Sequence, residues 1–115
     1  MAAPRLFHIA TLGEWAVAGE IYAPSAFATE GFVHCSFAEQ VEATRSRYYA
    51  GREDVVLLEI DPDRLEARVL VEASPTTGER FPHVYGPIGR SAVVRVHRLR
   101  APEGFGDLAA SDPPM

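Results

Sequence analysis

The sequence has 115 residues, a mass of 12.6 kDa and a formal net charge of −5. A chain of this size has room for one hydrophobic core, which excludes an enzyme with separate cofactor and substrate domains. Residues 1–100 carry 11 arginines against 13 acidic residues, so no basic field is available to hold a long nucleic acid. A composition of 47% hydrophobic and 23% charged residues is typical of a globular protein.

Lysine is absent from the sequence, and cysteine occurs once, as Cys35. Schiff-base chemistry, a Ser-Lys dyad and a phosphate-loop lysine are therefore excluded, and so are an intrachain disulfide and a cysteine-rich zinc site. The apolar runs are short, and the N-terminus lacks the apolar core of a signal peptide. We therefore expect a soluble cytoplasmic protein with no membrane partner.

The first half of the chain predicts two strands that each lead into a helix. Residues 6–10 form an apolar run, and Thr11 with Glu14 makes a capping box that opens a short helix ending near Gly19. Residues 20–30 show no clear period and predict a loop. Residues 31–35 predict a second strand, and Ser36 with Glu39 repeats the capping box before a helix over 37–50.

The second half predicts three strands and an irregular segment. Residues 54–60 are a continuous apolar run, typical of a central strand buried on both faces, with Glu59 expected near an end and facing solvent. Residues 61–64 predict a turn, and residues 67–72 alternate as a strand does. Residues 74–89 are rich in proline and glycine and predict an irregular loop. Residues 91–99 predict a final strand, in which His97 lies among arginines on a solvated face.

These elements predict an α+β fold with one domain. Residues 1–100 form that domain, with two split antiparallel or mixed β-sheets and two short helices. Residues 101–115 form a tail that contains proline and glycine and has too little apolar content to fold alone.

Three of the four histidines occur in strand or loop contexts close to a hydroxyl side chain. These pairs are His8 with Thr11, His34 with Ser36, and His83 with Tyr85. Imidazoles that converge at strand ends suit acid-base work, anion binding or metal ligation. The alternative is that each histidine is a separately hydrogen-bonded structural residue. The sequence contains no His-x-x-x-His or comparable signature, so no metal site is predicted from spacing.

Cys35 and Ser36 have competing interpretations. Cys35 follows His34, but successive strand residues point to opposite faces, which favours a buried structural cysteine over a Cys-His dyad. Ser36 either caps the following helix or contacts a ligand, and the sequence leaves both roles open.

Four ordered motifs carry a resemblance to a known family. They are Phe7-His8-Ile9-Ala10-Thr11, Glu30-Gly31-Phe32-Val33-His34-Cys35-Ser36, Val56-Leu57-Leu58-Glu59-Ile60-Asp61 and Phe81-Pro82-His83-Val84-Tyr85-Gly86. Over about residues 6–99 the chain resembles the bacterial family called domain of unknown function 952, whose activity is not established. Some relatives carry a glutathione-transferase label. The chain has no room for a thioredoxin-like domain plus a helical domain, so we do not expect that activity.

A more distant resemblance is to the ADP-ribosyltransferase fold, especially the rifampin ADP-ribosyltransferases and the RNA 2′-phosphotransferases. Those enzymes place a histidine in a first strand and an aromatic residue or histidine in a second strand that runs into a helix, followed by an apolar strand. His8, His34 and the run at residues 55–60 match these elements. The resemblance implies that His8 holds the ribose and carboxamide edge of NAD, that His34 contacts nicotinamide and that Ser36 bonds the ribose. The match departs at Ile9, where the enzymes have glycine, and at His34, where they have tyrosine. Their catalytic acid has no counterpart except His83.

The sequence therefore predicts a small group-transfer enzyme that binds NAD or another nucleotide-like phosphorylated molecule in a histidine-lined cleft. NAD is expected as a substrate, and no cofactor is identified. The candidate catalytic residues are His8, His34 and His83, and the candidate binding residues are Thr11, Ser36, Arg80 and Tyr85.

Two alternatives remain open at this point. One is a non-catalytic module that binds a nucleotide or small molecule in the same cleft. The other is a metal enzyme that uses the three histidines as ligands. The oligomeric state also stays open, with a monomer favoured.

Overall fold

The computed structural model describes residues 3–100, 104–106 and 108. In this part of the chain the strands are β1 (Leu6–Thr11), β2 (Ile21–Tyr22), β3 (Val33–His34), β4 (Val55–Ile60), β5 (Arg68–Ala73), β6 (Arg80–Tyr85), β7 (Ile88–Gly89) and β8 (Val93–Arg98). The α-helices are α1 (Leu12–Val17), α2 (Ser25–Glu30) and α3 (Val41–Tyr48). Short 3-10 helices cover Ala38–Gln40, Pro62–Arg64 and Arg90–Ala92.

The strands pair into three sheets, with the orders β1-β4-β8, β2-β7 and β3-β6-β5. Every pairing is antiparallel. The first and third sheets meet where Phe7 forms an isolated bridge with Ser36. The Phe7 N–H donates to the Ser36 carbonyl at 2.8 Å, and the Ser36 N–H donates to the Phe7 carbonyl at 2.7 Å. This pair of bonds joins β1 to the chain just beyond the end of β3.

The central strand β4 is buried along its whole length, as its apolar run predicts. Its alternate side chains serve two apolar clusters on opposite faces of the first sheet. Val56 and Leu58 pack with residues from all three sheets, whereas Val55 and Leu57 pack with α3 and the C-terminal segment. Each face of β4 therefore belongs to a separate part of the core.

The C-terminal segment covers part of the second cluster. Phe105 and Leu108 are buried there, beside Val41 of α3. These two residues fall in the segment predicted as a tail, of which 101–103, 107 and 109–115 lie outside the described residues.

The N-cap predicted at Thr11 is confirmed, but the reciprocal bond of a capping box is not formed, because the Glu14 carboxylate accepts from the Thr11 hydroxyl at 3.4 Å and from the Ser25 N–H at 2.8 Å. The Thr11 hydroxyl oxygen accepts a hydrogen bond from the Glu14 N–H at 3.1 Å, at the start of α1. The loop predicted over 20–30 is wrong, because this stretch contains β2 and the six-residue helix α2. A two-residue strand and a helix of fewer than two turns are too short to show a period in the sequence.

The predicted helix over 37–50 is shorter and starts differently. A 3-10 turn precedes α3, which ends at Tyr48. Ser36 does not cap it, so that interpretation is wrong. The cap forms one residue later, where the Phe37 N–H donates to the Gln40 side-chain oxygen at 2.9 Å. Ser36 is drawn out of the cap position because its backbone pairs with Phe7.

The irregular segment predicted over 74–89 contains β6, the middle strand of the third sheet. Pro82 lies inside this strand and has no N–H to donate. Its carbonyl accepts from the Cys35 N–H at 3.1 Å, just beyond the end of β3. Because the N–H and C=O of a strand residue point to the same side, the missing donor faces the end of β3, and no bond to β5 is lost.

The fold is therefore a small α+β domain with antiparallel sheets and short helices. Its three sheets and three α-helices within the described residues replace the predicted two sheets and two helices. The extra sheet is the two-residue pairing of β2 with β7, which carries too few residues to produce a sequence pattern.

Glu59 and His97 are both placed differently from the prediction. Glu59 is 1% exposed in the middle of the first sheet, although we expected it to face solvent. Its Oε1 lies 2.8 Å from Nε2 of His97 on the neighbouring strand β8, and the Arg5 guanidinium lies 3.5 Å from Oε2. The carboxylate is stabilised there by donors on adjacent elements, so His97 serves the core and not a solvated face.

We expect His97→Ala to lower the free energy of unfolding by about 1–3 kcal/mol, because it leaves a buried carboxylate with one donor fewer. Urea denaturation of the variant and the wild type measures the difference. Arg98→Ala, on the same strand but exposed, is the matched control and should change stability by less than about 0.5 kcal/mol. Equal effects of the two changes would contradict a stabilising role for His97.

Candidate functional site

A cleft with a volume of about 590 Å³ opens beside the junction of β1 and β3. Its walls come from β1, α2, β3, α3 and the β5–β6 hairpin. The lining residues are Phe7, His8, Ile9, Ala26, Glu30, Phe32, His34, Cys35, Ser36, Thr44, Tyr48, Tyr49, Ser74, Pro75, Phe81 and His83. This set contains the three predicted catalytic histidines and Ser36. Among the described residues that line the cleft, Glu30 is the only one with a full formal charge.

The third sheet brings two of the histidines side by side. His34 on β3 is the direct cross-strand partner of His83 on β6, and their ring centroids are 5.3 Å apart. The neighbouring pair, Val33 and Val84, points to the opposite face and is fully buried in the core. Strand alternation therefore turns both imidazoles away from the core and into the cleft.

His83 is oriented by a carboxylate. Its Nδ1 lies 2.7 Å from Oε1 of Glu72 on the adjacent strand β5. The Tyr85 hydroxyl donates to the same oxygen at 2.5 Å. These hydrogen bonds, from Tyr85 first and then His83, lower the pKa of the Glu72 carboxyl. An ionised carboxylate only accepts, so Nδ1 of His83 carries a proton; in the tautomer with its single proton on Nδ1, Nε2 is an acceptor. No described residue bonds that nitrogen.

Phe32 packs against the same group of rings. Its ring stacks on His83 with centroids 4.1 Å apart and an interplanar angle of 20°. It also meets His34 edge-on at 4.7 Å and lies 5.3 Å from Tyr85. His34 is exposed and has its own carboxylate partner, with Nε2 2.8 Å from Oε1 of Glu30. One wall of the cleft is thus a cluster of flat rings with two Glu–His pairs.

His8 also lines the cleft, but both of its ring nitrogens are bound inside the protein. Nδ1 lies 2.6 Å from the His34 carbonyl oxygen, and Nε2 lies 2.9 Å from the Tyr22 hydroxyl. A carbonyl can only accept, so Nδ1 donates and the Tyr22 hydroxyl donates to Nε2. Burial lowers the pKa of His8 to about 4. His8 is therefore a neutral link between β1, β2 and β3.

The other predicted binding residues are divided between the cleft and its surroundings. Ser36 lines it, and its Oγ lies 3.3 Å from the Thr44 hydroxyl on α3. Tyr85 borders the ring cluster without lining the cleft. Thr11 caps α1, and the Arg80 guanidinium donates to the Val71 carbonyl at 2.9 Å on the neighbouring strand. The fold does not place Thr11 or Arg80 among the lining residues.

The three histidines do not form a metal-binding set. Within residues 3–100, 104–106 and 108, no three histidine, cysteine, aspartate or glutamate side chains are placed to hold a metal ion. His8 has no nitrogen left for a ligand bond, because the His34 carbonyl and the Tyr22 hydroxyl engage both. The predicted alternative of a three-histidine metal enzyme therefore lacks its ligand geometry.

Sequence reasoning missed three residues of the site: Glu30, Phe32 and Glu72. Glu30 and Phe32 stand inside the motif that contains His34, but the motif alone does not show which side chains touch. Glu72 lies opposite Val69 and Val71 in the alternation of β5, which places it on the solvent-side face. Its contact with His83 follows only from the pairing of β5 with β6.

We expect His8 to make stability depend on pH. Its pKa is about 4 when folded, against an ordinary value of 6.5, so between these values the unfolded chain binds a proton that the folded protein does not. Stability from this residue is therefore fully present above about pH 6.5 and is lost as pH falls toward 4, by about 3 kcal/mol in all.

Urea denaturation at about pH 7 and about pH 4 tests this, with His8→Gln as the comparison, because glutamine has no titrating ring. The variant should lose less stability than the wild type over the same interval. The same loss in both proteins would show that His8 titrates at an ordinary pKa in the folded state.

Cys35 should not react with thiol reagents in the folded protein. The side chain is 4% exposed, and burial raises its pKa to about 12, so the thiolate is scarce at neutral pH. A chromogenic disulfide reagent should label it only after denaturant is added. Rapid labelling of the native protein would contradict the interpretation of Cys35 as a structural residue and would return it to the list of candidate nucleophiles.

No helix in the described part of the chain is long and apolar enough to cross a membrane. None of the functionally curated proteins matches the sequence. Among solved structures, the chain is similar to the protein CC0527 from Caulobacter crescentus. The crystal structure of that protein is 30% identical over 84% of this chain and 89% of the other, with a TM-score of 0.73. Its solution NMR structure is 30% identical over 92% of this chain and 94% of the other, with a TM-score of 0.71.

The sequence also matches a family model over most of its length. Residues 9–96 match the model described as protein of unknown function DUF952. The matched region runs from within β1 to within β8; it includes Glu30, Glu72 and the candidate histidines His34 and His83, and it begins one residue after His8. The chain belongs to the DUF952 family.

Proposed function

We propose that the cleft binds NAD or a related nucleotide-like molecule and that His83, oriented by Glu72, transfers a proton in a group-transfer reaction. The observation that carries this proposal is the arrangement of His83: stacked on Phe32, bound by Glu72 at Nδ1, and with Nε2 available to the cleft. A carboxylate that fixes the tautomer of a histidine is how many enzymes prepare a general base.

The flat rings support a ligand with a planar heteroaromatic group. Phe32 and Phe81 offer apolar ring surface, and the neighbouring imidazoles offer both ring surface and hydrogen-bonding atoms. Stacking on such rings is favourable for any aromatic base. The resemblance of the His8 and His34 motifs to those of ADP-ribosyltransferases makes NAD the first ligand to test.

The proposed chemistry is transfer of the ADP-ribosyl group. The bond between nicotinamide and the ribose carbon breaks, and nicotinamide leaves with the electron pair. The acceptor forms a new bond to that carbon and gives its proton to Nε2 of His83. The departing nicotinamide leaves positive charge on the ribose, and the nearby carboxylates of Glu72 and Glu30 would stabilise it.

Glu72 also supplies a carboxylate at the position where the resemblance to ADP-ribosyltransferases offers no matching catalytic acid. A carboxylate is needed there because a histidine alone does not carry stabilising negative charge. The Glu72 carboxylate lies 2.7 Å from His83 and is held ionised by its two donors. In this proposal, the pair replaces a single catalytic carboxylate.

The test measures NAD binding by calorimetry and nicotinamide release by chromatography. We expect saturable binding to the wild type and slow release of nicotinamide. His83→Ala should keep NAD affinity within about threefold and lower the release rate by about 10²–10⁴-fold, as removal of a general base does. Arg98→Ala, exposed on β8, is the matched control and should behave as the wild type.

Absence of NAD binding would contradict the proposal. Binding without nicotinamide release, unchanged in His83→Ala, would instead support the non-catalytic binding module. One observation favours that alternative: His8 and Cys35 line the cleft, but both are buried. Both ring nitrogens of His8 are hydrogen-bonded inside the protein, and burial raises the pKa of the Cys35 thiol.

A further inference from the structure

Tyr85 and Glu72 are in contact although their backbone positions are far apart along the third sheet. On the β5–β6 ladder, Tyr85 lies opposite Arg68, whereas Glu72 lies opposite Phe81. These positions are four residues apart, which is about 13 Å along a strand. The two side chains nevertheless meet at 2.5 Å, so each leans along its strand toward His83, which lies midway between them.

Both donors converge on a single carboxylate oxygen. Oε1 of Glu72 accepts from the Tyr85 hydroxyl and from Nδ1 of His83, at 2.5 and 2.7 Å. The Glu72 side chain is 38% exposed. A surface carboxylate held by one partner alone is free to rotate into other rotamers and to exchange that partner for water. The second donor confines Glu72 to the rotamer that reaches His83.

The contact with Phe32 fixes the orientation of the His83 ring but does not determine its tautomer. The stack at 4.1 Å holds the plane of the imidazole, but it does not decide which nitrogen carries the proton. That choice depends on the partner of Nδ1, which is Glu72. Tyr85 itself borders Phe32 and is absent from the lining of the cleft.

We propose that Tyr85 is a positioning residue: its hydroxyl holds Glu72 on Nδ1 of His83, so that Nε2 presents its lone pair to the cleft. This role rests on the proposed function, because it prepares His83 to act as a base. It replaces the direct ligand contact that the sequence predicts for Tyr85. The hydroxyl acts through Glu72 and does not touch the ligand.

The test is the ¹⁵N spectrum of the histidine side chains in the labelled, ligand-free protein, which distinguishes a protonated from a bare ring nitrogen. In the wild type, neutral His83 should show one tautomer, with the proton on Nδ1. Tyr85→Phe keeps the ring but removes the hydroxyl, and we expect the loss of that single-tautomer pattern. Glu72→Ala should cause the same loss.

Tyr48→Phe is the matched control. It also removes a phenol hydroxyl, in this case from a residue that lines the cleft, but Tyr48 bonds no described residue, so the His83 pattern should stay as in the wild type. An unchanged His83 tautomer in Tyr85→Phe would overturn the positioning role. So would a change of equal size in Tyr48→Phe, because the effect would then not be specific to the Glu72 contact.

The measurement separates this inference from the proposed function. The tautomer is read without ligand, so it can fail while NAD still binds and nicotinamide is still released. In the NAD titration, a positioning residue leaves affinity within about threefold in Tyr85→Phe, whereas loss of a direct hydrogen bond to ligand weakens it by about tenfold or more. The larger loss of affinity, with the tautomer unchanged, would restore Tyr85 as a contact residue.

Discussion

The junction between β1 and β3 is the constraint on which the cleft depends. Two backbone hydrogen bonds between Phe7 and Ser36 join the first sheet to the third, and His8 adds a side-chain bond from β1 to the His34 carbonyl. The two strands otherwise have different partners, because β1 pairs with β4 and β3 pairs with β6. Residues of both strands line the cleft. His8 thus helps to hold β3 in place, because both of its ring nitrogens are bound inside the protein.

Three Glu–His pairs among the described residues show how the environment decides the role of the same two residue types. Glu59 and His97 lie on adjacent strands of the first sheet, where the carboxylate is almost fully buried among apolar residues. Glu72–His83 and Glu30–His34 border an open cleft beside Phe32. The first pair satisfies a buried carboxyl group inside the core, whereas the other two hold imidazole rings at the wall of the cleft.

Much of the fold follows from local patterns in the sequence. The buried run at residues 55–60 predicts β4, the Thr11 capping box predicts the start of α1, and the alternation of β5 is visible in residues 67–72. The errors fall where an element is very short, as in β2 and α2, or where a tertiary bond moves a boundary. Ser36 is the clearest example, because its pairing with Phe7 displaces the predicted helix cap by one residue.

The candidate site, like the fold, could be predicted from the sequence only in part. The sequence by itself determined which chemistry is available: histidines near strand ends, no lysine, and a cysteine whose strand position favours burial. Only the tertiary structure decided which histidines have both ring nitrogens bound inside the protein and which do not. It placed His83 between Phe32 and Glu72, and it enclosed His8 between a carbonyl and the Tyr22 hydroxyl. The physical reason is that side-chain partners come from strands distant in sequence, and strand register is set by packing of the whole core.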